Sequence, residues 1–311
     1  MSYLVTGGAG FIGSHIVEEL VRRGETVRVL DNFITGKREN IAPFLNLIEL
    51  DEGDIRDLKT CRQALEGIDY VLHQAALPSV PRSIEDPLLT NEINVRGTLN
   101  LLLASYEAKI KRFVFASSSS VYGDDTQLPK KEGSEGIPLS PYAVSKFVGE
   151  KYCQVFAEIY GLETVSLRYF NIFGPRQDPL SQYAAAVPLF ITKILAKQSP
   201  QIFGDGEQSR DFTYVANVVE ANLRAVEAPP EAIGGVFNIA CGERTTVNTL
   251  VKEIGKLTKC LVEPVYIAPR PGDIKHSFAD INKTIKVLHF EPLVSFRQGL
   301  KKTVIWFKER R

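Results

Sequence analysis

The sequence is poor in the features that mark several large protein classes. It carries no net charge, since 37 Lys plus Arg balance 37 Asp plus Glu. A protein held to nucleic acid or to an anionic membrane by bulk charge is thereby excluded, while a local basic pocket is not. No apolar run approaches the roughly 18–20 residues that a bilayer-spanning helix needs. The opening Met1-Ser2-Tyr3-Leu4-Val5-Thr6-Gly7-Gly8 lacks the basic start and small-residue cleavage site of a secretory signal, so a soluble, cytoplasmic protein is expected. Only four cysteines occur, Cys61, Cys153, Cys241 and Cys260, with no CxxC pair. Reduced, packed thiols are expected rather than a disulfide framework. The four histidines, His15, His73, His276 and His289, show no metal-ligand spacing, so no metal is expected. None is assigned a catalytic role, and His73, at the end of a strand pattern, reads as a packed or hydrogen-bonded core histidine. Internal repeats and low-complexity tracts are absent as well.

What is there is a chain of 311 residues, 44% hydrophobic and 24% charged, able to bury a sizeable core. At about 150 residues per domain, two domains or one domain with a lobe are expected. Short β-branched or apolar runs at 3–6, 26–30, 46–50, 70–73, 112–116 and 164–168 alternate with helical patterns at 11–23, 58–65, 89–108 and 142–160. Such alternation predicts βαβ units and a parallel sheet covered on both faces. After Phe173 the rhythm loosens into shorter elements broken by Gly and Pro, with helices expected at 184–196, 218–228, 247–257 and 296–308. The expected fold is α/β: a Rossmann-like, doubly wound parallel sheet over 1–170 with a smaller, mixed α/β C-terminal lobe over 171–311. A segment near 212–240 is expected to return to the first domain.

The first strand runs into Gly7-Gly8-Ala9-Gly10-Phe11-Ile12-Gly13 and then into a helix with Ile16, Val17 and Leu20 on one face. Glycines there permit a tight turn, close approach of backbone to a pyrophosphate and close helix–strand packing. The helix N-terminus offers free N–H groups and partial positive charge to the phosphates. The second strand ends at Asp31-Asn32, where a carboxylate accepts from an adenosine ribose and repels a 2′-phosphate, so NAD is expected over NADP. Asp54, after the third strand, is a candidate neighbour of the adenine.

Two further segments carry chemistry. At 113–123 an apolar strand dissolves into Ser117-Ser118-Ser119-Ser120, at the carboxyl end where open α/β sheets bind ligands. In Tyr142-Ala143-Val144-Ser145-Lys146, opening a long helix, Tyr142 and Lys146 lie one turn apart. A tyrosine is a poor base at neutral pH. A nearby ammonium and the positive charge of oxidised nicotinamide are expected to favour its phenolate and make it a proton acceptor.

The Gly7, Gly10, Gly13 triplet, Asp31, the serine cluster and Tyr142-x-x-x-Lys146 together resemble an extended short-chain dehydrogenase/reductase. Within that group the whole chain is similar to NAD-dependent nucleotide-sugar epimerases, through Asn94-Val95-Arg96-Gly97-Thr98, 167–174 and 206–212. The resemblance implies Tyr142 as base, Lys146 as its electrostatic partner and ribose anchor, and Ser118 as the hydroxyl partner, with Ser120 able to share that role. It also implies Phe11, Ile12, Asn32, Ile55, Ala75 and Ala76 beside NAD, and Asn94 supporting the tyrosine and lysine from behind. Related dehydratases carry an acid pair where this chain has Ser119 and Ser120, so dehydration is not expected.

The same resemblance places Ser79, Asn171, Val187, Arg210, Arg270 and Asp273 at a UDP-sugar. Two arginines on a pyrophosphate suit charge-assisted pairing. In UDP-hexose 4-epimerases, to which the chain is similar, the position of Ser277 sets the pocket wall. A small residue there implies that UDP-N-acetylglucosamine is accepted beside UDP-glucose. The expected activity is thus 4-epimerisation of UDP-hexoses, with a UDP-uronate epimerase or decarboxylase as the alternative. A dinucleotide-binding sensor or scaffold is the non-enzyme alternative. The helices at 89–108 and 142–160 carry apolar faces suited to packing on the sheet, and the resemblance implies that they form a homodimer interface.

Overall fold

A computed structural model describes residues 1–179, 185–269 and 274–310. Its centre is a parallel sheet of seven strands. Six are β1 (Ser2–Thr6), β2 (Thr26–Asp31), β3 (Glu49–Glu52), β4 (Tyr70–His73), β5 (Arg112–Ser118) and β6 (Thr164–Tyr169); the seventh is the late strand Gly235–Ile239. Their order across the sheet is Gly235–Ile239, β6, β5, β4, β1, β2, β3. The chain winds outward from β1 through β2 and β3, then restarts on the other side of β1 at β4. That reversal leaves a crevice at the carboxyl ends of β1 and β4.

Between these strands run α1 (Phe11–Arg22), α2 (Arg38–Ile41), α3 (Leu58–Ala64), α4 (Val80–Glu85), α5 (Pro87–Asn91), α6 (Gly97–Glu107) and α7 (Pro141–Tyr160). Ile16, Val17 and Leu20 of α1 join Val218 and Ala221 of the helix Val215–Val226 over Val5, Val29 and Val114. On the opposite face, Leu101 and Leu102 of α6 and Cys153 and Phe156 of α7 pack on Leu4, Val71, Phe113 and Phe115. Burial on both faces is what the continuous apolar strands require. A separate core gathers Phe173, Phe190, Ile194, Phe212, Leu250, Ile254, Phe296 and Leu300. It lies among the helices Ala186–Leu195, Val247–Thr258 and Phe296–Glu309, with short two-stranded ladders beside it.

Two expected elements differ. The strand expected at 46–50 begins at Glu49, because 42–47 coils into a 3₁₀ turn that leaves Leu45 and Leu47 exposed. The helix expected at 89–108 is divided into α5, a wider π turn at Glu92–Arg96, and α6. Cys61 and Cys153 are buried, and all four thiols are free. No helix among the described residues is long and apolar enough to cross a membrane.

Candidate active site

The crevice at the sheet's carboxyl edge is a cleft of about 530 Å³. Gly7, Gly10, Phe11, Ile12 and Gly13 line it, so the turn from β1 into α1 forms one wall. Gly7 has a φ of +67°, and a Cβ on Gly13 would collide with the Gly7 carbonyl. Both positions therefore need glycine for the backbone itself to form the surface. No side chain caps the first turn of α1, which leaves its amides directed at the cleft. These features fit a dinucleotide pyrophosphate.

Asp31, at the end of β2, lines the same cleft. Its carboxylate accepts from Ala9 N at 2.9 Å and Phe33 N at 2.8 Å, which fixes its orientation and leaves lone pairs over for a ribose. Burial raises its pKa, against the pull of those two N–H groups. Asn32, Ile55, Ala75 and Ala76 also line the wall. Asp54 sits just outside it. Its carboxylate accepts from Arg56 at 2.7 Å and Asn32 Nδ2 at 2.9 Å, and the Arg56 contact first of all holds it down to about 2. Asp54 thus orients Asn32 from behind.

Ser118, Tyr142 and Lys146 meet on the opposite wall. Ser140 caps the N-terminus of α7 by accepting from Ala143 N at 3.1 Å, and Pro141 starts its first turn. Tyr142 therefore leaves the first turn beside the end of β5. Ser118 Oγ accepts from Ser120 N at 3.2 Å, and its hydroxyl lies beside the Tyr142 phenol. Lys146 Nζ donates to the Ala116 carbonyl at 2.7 Å and lies 5.0 Å from the Phe115 ring. Burial pushes the ammonium down to about 8, opposed by Cys153 and Glu150. Burial raises the Tyr142 phenol, and Ser118 is the group that opposes the rise.

Asn94 lies in the π turn and does not line the cleft. Its side chain accepts from Leu77 N at 2.7 Å and donates to Ser145 Oγ at 3.0 Å, and Ser145 Oγ donates to the Tyr142 carbonyl at 2.8 Å. The wide turn is what brings Asn94 inward to span both partners. Asn171, just beyond β6 with a φ of +41°, lines the cleft on the lobe side. Ser79 caps α4 next to Pro78, a lining residue. Ser120 Oγ is buried with no hydrogen-bond partner among the described residues. Val187 is buried in the core of the lobe, 2% exposed.

Arg210 and Ser277 are brought together on the lobe, away from the lining of the cleft. Ser277 N donates to Ser209 O at 3.0 Å, and Arg210 Nη1 donates to the same carbonyl at 3.0 Å. Arg270 and Asp273 lie outside the described residues. Asp211, absent from the sequence reading, is wholly buried and holds this patch. It accepts from Cys241 N at 2.9 Å, Gly242 N at 3.0 Å and Ala279 N at 3.3 Å, and burial still pushes it up to about 6. Gln177, also unforeseen, lines the cleft with its Oε1 buried and without a partner among the described residues. Nothing in the local pattern around either residue distinguishes it; both depend on contacts between distant segments.

Residues 3–240 match the family model described as the NAD dependent epimerase/dehydratase family. The chain belongs to that family. Its cofactor is NAD, in agreement with the glycine turn and Asp31. Among solved structures, UDP-glucose 4-epimerase of Thermotoga maritima, determined with UDP-glucose, is 40% identical with a TM-score of 0.95, covering 100% of this chain and 99% of that one. UDP-N-acetylglucosamine 4-epimerase of Methanobrevibacter ruminantium, in complex with UDP-N-acetylmuramic acid, is 43% identical at the same TM-score and coverage. A UDP-N-acetyl-alpha-D-glucosaminuronate decarboxylase of Bacillus cytotoxicus is 35% identical over 98% of this chain and 97% of that protein.

Proposed function

We propose that the protein is a UDP-hexose 4-epimerase that accepts both unacetylated and 2-N-acetylated sugars and keeps its NAD between turnovers. The observation that carries this reading is the meeting of Ser118, Tyr142 and Lys146 on one wall of the cleft whose other wall is the glycine turn. Residues 1–170 would hold the cofactor, and 171–311 most of the substrate. The glycine turn and Asp31 would hold NAD, which would supply a hydride acceptor and donor for the sugar C4. Tyr142 Oη takes the proton of the 4-hydroxyl and later gives it back. Ser118 Oγ keeps the same oxygen in line, and Lys146 anchors a ribose through the donors that Ala116 leaves available. Ser79, Ser120, Asn171 and Val187 would contact or shape the sugar site. Arg210, Arg270 and Asp273 would hold the UDP while the 4-keto sugar turns over.

Ser277 supports acceptance of the acetylated sugar, since its side chain is too small to crowd a 2-N-acetyl group. The relative named as a UDP-N-acetylglucosamine 4-epimerase supports the same reading. The decarboxylase among the relatives keeps a UDP-uronate reaction as the second reading, although no carboxylate-binding group is identified here. Purified protein incubated with UDP-N-acetylglucosamine, UDP-glucose and UDP-glucuronate without added NAD should epimerise the first two. Turnover of UDP-glucuronate alone would establish the second reading instead. Ser277→Tyr should suppress the acetylated substrate selectively, and equal losses on both substrates would remove its gatekeeping role.

The dimer belongs to this proposal. Leu102 and Phe156 face inward, but Tyr106 of α6 and Val155, Ile159 and Tyr160 of α7 are exposed, Ile159 by 71%. Tyr106 and Tyr160 meet at 5.3 Å, making one apolar patch across the two helices. A second copy of the same helix pair would cover it as a four-helix interface.

A further inference from the structure

One side chain next to the reactive set is charged, wholly buried and given no part in the chemistry above. Glu150 lies on α7 one turn beyond Lys146, so Tyr142, Lys146 and Glu150 follow one another along one face of the helix. Its Oε1 accepts from Ser117 Oγ in a short hydrogen bond. The same carboxylate receives both arms of the Arg168 guanidinium, Nε at 2.8 Å and Nη2 at 2.7 Å. Arg168 belongs to β6, is 2% exposed and also pairs with Glu135. Its guanidinium lies 4.8 Å from the Tyr122 ring.

These bonds converge on the strand end that serves the reaction. Ala116 takes the Lys146 ammonium, Ser117 is gripped by Glu150, and Ser118 holds Tyr142. Three consecutive residues of β5 are thus tied to three residues spaced one turn apart on α7. Gly149 lets the helix come that close, because a Cβ there would run into the Phe115 ring. An ion pair in such a place is weak evidence of stabilisation, since apolar residues of equal volume often serve as well or better. What apolar residues do not supply is a directional hold on Ser117 or a negative charge beside Lys146.

We propose that Glu150, braced by Arg168, is a positioning residue that locks the helix carrying Tyr142 and Lys146 onto the strand end carrying Ser118. The proposal rests on those three residues being the reactive set. The groups facing Lys146 are Cys153 and Glu150 on its own helix and His73 on β4, with the Arg168 guanidinium of β6 on the Glu150 carboxylate. Burial pushes Cys153 up to about 12 and His73 down to about 3, so both are uncharged near neutrality. Of the two groups that oppose desolvation of the lysine, Cys153 and Glu150, Glu150 is the one held in an ion pair.

The test compares Ser117→Ala, Glu150→Gln and the paired change Glu150→Met with Arg168→Met. The paired change removes both charges of the buried pair, while Glu135, the other partner of Arg168, is partly exposed and keeps Gly133 N at 3.0 Å, so the test stays open should Glu150→Gln fold poorly. Ser117→Ala should lower kcat by roughly 10-fold with KM little changed, as expected when geometry rather than binding is lost. Glu150→Gln and the double variant should lower kcat by roughly 10- to 100-fold. In Glu150→Gln the alkaline limb of the kcat profile should move to lower pH, because Lys146 loses a neighbouring negative charge, whereas the paired change, which removes the Arg168 cation as well, should move it less. The pH dependence of Lys146 labelling by a small amine-reactive reagent, read by peptide mass spectrometry without substrate, should move the same way.

Unchanged kcat in Ser117→Ala would overturn the hold on the strand. A wild-type alkaline limb and labelling profile in Glu150→Gln, or an unchanged kcat in the paired change, would overturn the role of Glu150. Tyr142→Phe is assayed in parallel. Full activity there would sink the proposed reaction itself, whereas loss there combined with wild-type behaviour of the other variants would sink only the role of Glu150.

Discussion

Tyr142 and His73 both lie near Lys146, and burial moves them in opposite directions. Removing water disfavours the charged form, so the phenol of Tyr142 is raised and the imidazole of His73 is lowered to about 3. For Tyr142, oxidised nicotinamide would supply a charge that favours the phenolate under the proposed mechanism. Its phenolate titration, read as the ultraviolet difference between the protein and Tyr142→Phe, should have a midpoint above that of free tyrosine when NAD is stripped. Adding NAD should lower the midpoint, and no movement would remove the cofactor charge from the mechanism. His73 is wedged between Thr6 Oγ1 at 2.7 Å and Thr98 Oγ1 at 2.9 Å, as the core histidine expected from the sequence. In the unfolded chain it takes a proton near 6.5, and in the fold only near 3. Its contribution to stability is therefore fully present above pH 6.5 and is lost as pH falls toward 3, by about 1.4 kcal/mol per pH unit. Thermal melts of His73→Asn between pH 7 and 4 should show a slope smaller by about that amount.

At the scale of an element, α7 carries more of the site than any other helix. Ser140 starts it, Gly161 ends it in the left-handed conformation with a φ of +70°, and the residues between present Tyr142, Lys146 and Glu150 in succession. Ser140→Ala removes the cap at the turn that bears Tyr142 and should cost about 1 kcal/mol, read as a lower urea midpoint, with Ser140→Asp restoring it. Much of this helix was legible beforehand: its length, its start close to Tyr142 and the one-turn spacing of Tyr142 and Lys146. The role of Glu150 was not, because a glutamate on a long helix resembles any solvated acid until Arg168 and Ser117 are seen against it. The helix pattern at 89–108 was equally readable as helix, but the π turn around Asn94 was not. One extra residue in a turn leaves the apolar periodicity nearly intact while redirecting a single side chain inward.

At the scale of the molecule, two cores are joined along a cleft, and an apolar patch on α6 and α7 faces outward. Ile159→Glu should convert a dimer to a monomer by light scattering at micromolar concentration. A wild-type protein already monomeric there would remove the proposed interface. The net charge of zero excludes bulk attraction to polyanions, yet the cofactor is an anion that the uncapped amides of α1 would meet locally. The sequence by itself determined the parallel βαβ winding, the glycine turn, the carboxylate after β2 and the Tyr142–Lys146 spacing. Each of those is local, set by backbone sterics or by helix periodicity within a few residues. Only the tertiary structure decided that Asp54 supports Asn32, that Asp211 ties Cys241, Gly242 and Ala279, and that Glu150 grips β5 and β6. Those contacts join segments 18 to 68 residues apart or lie across strands, and a buried charge acquires its meaning from the partners that packing brings to it.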